Sequence, residues 1–126
     1  MSITKILAST MLVALITSVE PVKAGEVQLD EVRVTCYYQG TTTASGKPVR
    51  EGYVAAAKEH IGDTCLIYTK DYELIGIFEC EDTGSAYRIK HEGSVDVYRS
   101  SLSRCKEWIH EYGDYLYVQW IEDANG

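Results

Sequence analysis

The sequence predicts a small, mainly β domain of six strands with one α-helix in its C-terminal half. Three observations carry this. Short runs rich in Val, Ile, Tyr and Thr are separated by clusters of Gly, Pro, Ser and Thr, the punctuation of strands and turns. A single stretch, SSLSRCKEWIHEYG, has helical spacing with a cap at each end. The chain has 126 residues, enough for one modest core and too few for two.

The first residues read as a leader rather than as part of that core. Lys5 precedes an apolar run from Ile6 to Val19, and Val22 and Ala24 supply small residues at −3 and −1 of a cleavage point. Residues 1–24 are therefore predicted to be a secretory signal peptide, with the domain occupying 25–126. The run is too short and too rich in hydroxyls for a transmembrane span, so no membrane insertion is expected after cleavage.

The elements follow in order. EVRVTCYY sets Val32, Val34 and Cys36 against Arg33 and Thr35, the alternation of a half-buried strand. QGTTTASGKPVREG reads as a long loop. YVAAA, TCLIYT and LIGIFEC are the next strands, the last two joined by the turn TKDYE into a hairpin. GSVDVY is a short strand. Ser100 or Ser101 caps the helix, Leu102, Cys105 and Ile109 share a face, and Gly113 suits its end. DYLYVQWIE closes the domain with Leu116, Val118 and Trp120 alternating.

Charge and cysteines narrow the surroundings. The net charge is −7, and loss of Lys5, Lys23 and Glu20 with the leader leaves −8. Such a surface has no electrostatic reason to seek nucleic acid or anionic lipid, and suits a neutral polymer such as a glycan. Cys36, Cys65, Cys80 and Cys105 all lie in the predicted mature part, and an even count behind an export signal reads as two disulfides with three connectivities open. The hairpin points to Cys65–Cys80, which leaves Cys36–Cys105. No CxxC pair and no ligand spacing among His60, His91 and His110 suggests a metal, and no cofactor motif is present.

Two aspartates sit in short motifs: Asp82 in DTG, and Asp96 in VDVY. From the residues alone, an Asx-turn at Asp82 and a strand-end cap at Asp96 explain them as well as chemistry does. Together with TASG at Thr43 to Gly46 and the closing YGDYLYVQWIE, however, the pair resembles the signature of the three-aspartate domain family. These are small double-psi β-barrels related to the catalytic barrel of the A-type membrane-bound lytic transglycosylases and, more distantly, to expansin-like barrels. The resemblance spans roughly residues 31–122. It departs from the family at the first aspartate, where the chain reads VAAAKEHIGDT and offers Ala56 or Ala57; Asp63 lies several residues on.

The resemblance implies a six-stranded double-psi barrel and a lytic transglycosylase-like cleavage of the MurNAc–GlcNAc bond of peptidoglycan. One carboxyl group would protonate the leaving oxygen and then accept the proton of the C6 hydroxyl as a 1,6-anhydro ring closes. Asp96 takes that acid/base role and Asp82 is its neighbouring carboxylate. Thr43, Ser45, Thr83, Gly84 and Tyr98 are the expected substrate contacts, with Thr83 and Gly84 shaping the turn at Asp82. The predicted protein is secreted or otherwise extracytoplasmic and monomeric, with a peptidoglycan glycan strand as its partner. The rival reading is an expansin-like module that binds glycan or a protein without cutting.

Overall fold

Alternation along the first strand decides what lies inside the molecule. In the computed structural model, which describes residues 28–84 and 93–123, β1 spans Asp30–Tyr37. It turns Val34 fully inward, with Val32 and Cys36 packed against the same core. β2 (Tyr53–Ala56) is buried along its whole length and leads into a 3-10 turn at Lys58–His60. β3 (Thr64–Tyr68) and β4 (Leu74–Thr83) form the expected hairpin, β5 is Val95–Tyr98, α1 is Leu102–Tyr112 and β6 is Tyr115–Ile121. The predicted signal peptide and His91 lie outside the described residues.

The six strands close into a ring in the order β1-β5-β2-β4-β3-β6. Two neighbouring pairs, β1 with β5 and β2 with β4, are parallel; the other four are antiparallel. The mainly β class, the six strands and the single α-helix expected from sequence are thus found. Inside the ring, Val34, Val54, Ile67, Val95, Val97, Leu116 and Val118 fill the centre. Complete burial of each such side chain contributes about 1.5–3 kcal/mol.

α1 packs against β1 and differs from expectation in the face it buries. Cys105 and Trp108 are its buried residues, whereas Leu102 and Ile109 remain 46% and 37% exposed. The indole explains the rotation of the stripe. Trp108 meets Phe78 edge-on at 5.9 Å between centroids and Tyr112 at 4.9 Å, so the largest apolar surface on the helix goes under cover. The ends are capped as the sequence suggests. Ser101 Oγ accepts the Arg104 N–H at 3.2 Å, and Gly113, at φ 78°, donates its N–H to the Ile109 carbonyl at 2.8 Å.

The β3–β4 register places Cys65 opposite Phe78. Cys80 is therefore one diagonal step from Cys65, and both are completely buried. All four cysteines are thiols in the structure. Burial pushes the Cys80 thiol up to about 12 and raises Cys65 as well.

Candidate functional site

β4 runs past the predicted strand end at Cys80 and carries Asp82 and Thr83 inside the sheet. β4 thus includes Asp82 and Thr83 of the DTG stretch and ends before Gly84. The cause is pairing with β2, where Ala55 stands opposite Asp82 and Ala56 opposite Thr83. That ladder slips between Val54 and Ala55, whose partners are Cys80 and Asp82, so Glu81 is an extra residue. A bulge of this kind re-aims the side chains that follow it.

Asp96 arrives on the other side of the same alanine. Ala55 pairs with Asp96 of β5, and Asp96 pairs with Thr35 of β1. Thr35, Asp96, Ala55 and Asp82 therefore form one row across four adjacent strands. Two strand spacings separate the aspartates, roughly 9–10 Å between Cα atoms, with only a methyl group between them in the row. Both carboxylates are half-buried.

Each is held by named donors. The Thr35 hydroxyl donates to Asp96 Oδ1 at 2.9 Å. Asp82 Oδ1 accepts the N–H groups of Ala44 at 3.0 Å and Thr83 at 2.9 Å, and Oδ2 accepts the Tyr37 hydroxyl at 3.2 Å. With both oxygens engaged, Asp82 is a fixed acceptor. Tyr37 lies near both carboxylates. Burial first, and then the negative charge of Asp82 with a smaller effect of Asp96, raise its phenol, so it stays a donor.

The loop before β2 brings the TASG stretch to this place. Thr43 N–H donates to the Lys47 carbonyl at 2.8 Å, Gly46 N–H to the Thr43 carbonyl at 3.0 Å, and Gly46 takes φ 94°, a conformation glycine adopts without strain. Thr43 is 5% exposed, and its hydroxyl bonds Ser45 Oγ at 2.9 Å while accepting Lys47 N–H at 3.1 Å. The two hydroxyls thus brace the loop. The loop docks on β4 through Ser45 N–H to the Glu81 carbonyl at 3.0 Å and through Lys47 Nζ to the buried Glu81 carboxylate at 3.0 Å. What it presents to Asp82 is the Ala44 N–H.

Tyr98 is 9% exposed, its ring edge-on to Tyr37 at 5.4 Å. The structure thus brings together Asp82, Asp96, Thr83, Gly84 and the Thr43–Ser45 loop, and places Tyr98 beneath Tyr37. Two contributors escaped the sequence reading. Tyr37 was legible as an aromatic near the motifs, a sugar-stacking ring or a strand former, but not as a donor to Asp82, although its parity with Thr35 puts it on the aspartate face; a backbone N–H such as that of Ala44 leaves no mark in a sequence.

Neither a protein-family model nor a curated protein matches this chain. The site is therefore read on its own geometry.

Ala56 points into the core at 1% exposure, whereas Ala57, at φ −60° and ψ 149°, continues the extended chain and returns to the face of Ala55. Among the described residues no group of three or more His, Cys, Asp or Glu side chains could hold a metal ion. The Cys36 and Cys105 thiols meet beside this site; burial, with the nearby Cys105 and the charge of Asp96, pushes Cys36 up to about 12.

Proposed function

We propose that this protein is an exported enzyme of peptidoglycan turnover that cleaves the MurNAc–GlcNAc bond as a lytic transglycosylase does. The observation that carries the reading is the row Thr35–Asp96–Ala55–Asp82, which sets two carboxylates on one face. A ring with two parallel pairs, β1/β5 and β2/β4, also suits the double-psi barrel that the DTG and DVY motifs resemble.

Asp96 is the acid/base. Its proton passes to the glycosidic oxygen as the bond from C1 to that oxygen breaks. The C6 hydroxyl oxygen then bonds to C1, and its proton returns to Asp96, so no water is consumed. Asp82, fixed by three donors, is the neighbouring carboxylate that binds substrate hydroxyls. Export places the chain in an oxidising compartment, where Cys36 joins Cys105 and Cys65 joins Cys80; peptide mapping without reduction reads both pairs.

Incubation with purified sacculi followed by mass analysis of the soluble fragments tests the activity. Fragments ending in a 1,6-anhydro sugar support it, and reducing-end fragments mean hydrolysis instead. The three alanines at 55–57 favour a second reading, a glycan-binding module that does not cut. Sedimentation of the protein with sacculi, with no fragment released, would establish that one.

A further inference from the structure

The four thiols fall into two pairs that differ in access. Cys65 and Cys80 are completely buried in the centre of the ring. Cys65 stands between Phe78 of β4 and Trp120 of β6, so sheet covers both sides of its strand. Cys36 and Cys105 belong instead to the join between β1 and α1, where both line an open cleft of about 520 Å³. Cys36 is partly exposed, and its S–H donates to the Cys105 sulfur.

We infer that Cys36 and Cys105 form a thiol–disulfide exchange site that works in the folded protein, whereas Cys65 and Cys80 react only before the ring closes. Beyond the pairing described above, each bridge thereby has its own stage of assembly, and neither depends on whether the protein cuts glycan. The co-reactant is a disulfide, R–S–S–R, small or carried by a protein. Cys105 loses its proton to solvent, and its sulfur bonds to one sulfur of the disulfide as the S–S bond breaks and RS⁻ leaves. Cys36 then loses its proton, its sulfur bonds to that of Cys105, and the second RS⁻ leaves. Two thiols are oxidised, one disulfide is reduced, and the two protons end on two molecules of RSH.

Thiolate content does not separate the pairs. Burial pushes Cys36 and Cys80 alike up to about 12, so both are slow nucleophiles near neutral pH. Burial raises Cys105 as well. The hydrogen bond between the two thiols holds the proton on Cys36 and favours the thiolate of Cys105, which is why Cys105 attacks first. What separates the pairs is the path to solvent. A reagent reaches Cys65 or Cys80 only when the ring opens, and open states make up about 10⁻³ of the molecules or less.

Alkylation of the folded chain with all four thiols reduced, read by peptide mass, tests this difference. N-ethylmaleimide should modify the Cys36–Cys105 pair at least about 10²-fold faster than Cys65 and Cys80, and in denaturant all four should react alike. Oxidised glutathione added to the same folded protein should join Cys36 to Cys105, and leave Cys65 and Cys80 open to alkylation only after unfolding. Cys36→Ser should stop the exchange halfway, with glutathione held on Cys105; thermal unfolding checks that this variant is folded. Labelling of all four cysteines at similar rates in the folded chain would overturn the inference, as would a Cys65–Cys80 bridge formed as fast as the other. A Cys36–Cys105 pair that stays reduced in the folded chain, under conditions that oxidise the unfolded one, would overturn it too.

Discussion

The two aspartates have different proposed roles, so the same substitution should have different effects. Asparagine at Asp82 can still accept the Ala44 and Thr83 N–H groups with its oxygen, and its amide can donate to a Tyr37 hydroxyl that turns to accept. Asp82→Ala instead leaves three donors without their acceptor, and should lower stability by about 1–3 kcal/mol in denaturant unfolding. Asp96→Asn keeps the Thr35 hydrogen bond but removes the transferable proton. Release of anhydro-terminated fragments from sacculi should fall by about 10²–10⁴-fold, the usual worth of one acid–base group, with the melting temperature unchanged. Turnover at the wild-type level in a folded Asp96→Asn protein would reduce both aspartates to structural roles. The sequence made the identity of these residues legible and hid their state. Asp82 looked like a turn residue because Glu, Asp and Gly are poor strand formers in isolation, and pairing with β2 overrides that preference at Asp82.

At the scale of elements, alternation and capping were readable, and long-range pairing was not. Val34, Leu116 and Val118 announced their inward faces through period two alone. No local pattern could state that β5 would lie between β1 and β2, or that a bulge would skip Glu81, because register is fixed by partners distant in sequence. The short β2 tests the reading of its faces. Ala56→Asp places an unpaired charge in the core and should cost several kcal/mol, enough to abolish cooperative unfolding; Ala57→Asp, at the strand end on the aspartate face, should cost clearly less in the same urea titration. The join between the loop before β2 and α1 is a further element-level contact. Glu51 pairs with Arg99 at 2.9 Å and Arg104 Nε at 2.9 Å, and accepts the Ser100 N–H at 2.6 Å. Partial burial opposes the Glu51 charge, but Arg104, Ser100 and Arg99 outweigh it and hold its carboxyl below the usual glutamate value. A group depressed in the folded state stabilises above its unfolded value and loses that contribution as pH falls through its folded one. Melting temperature should therefore decline from about pH 4.5 downward, and Glu51→Gln should be less stable at neutral pH and show a shallower decline. Parallel acid limbs for the two proteins would show that the clamp contributes nothing.

For the whole molecule, the ring makes stability a shared property. β6 pairs with β1 on one side and β3 on the other, so removing 115–121 exposes two strand edges together. A chain ending after Asp114 should show no cooperative thermal transition and should bind a dye for exposed apolar surface. The closed arrangement of strands also has a meaning in time. Every strand but the last can be made without completing the ring, and β1 waits for its second partner, β6, which lies more than seventy residues later in the sequence. Such distant pairings cost loop entropy before they return any contact. A chain that emerges N-terminus first thus lacks the closed ring until Tyr115–Ile121 has been made. The last strand works as the latch, and the order of emergence leaves the ring open until the whole sheet has been made.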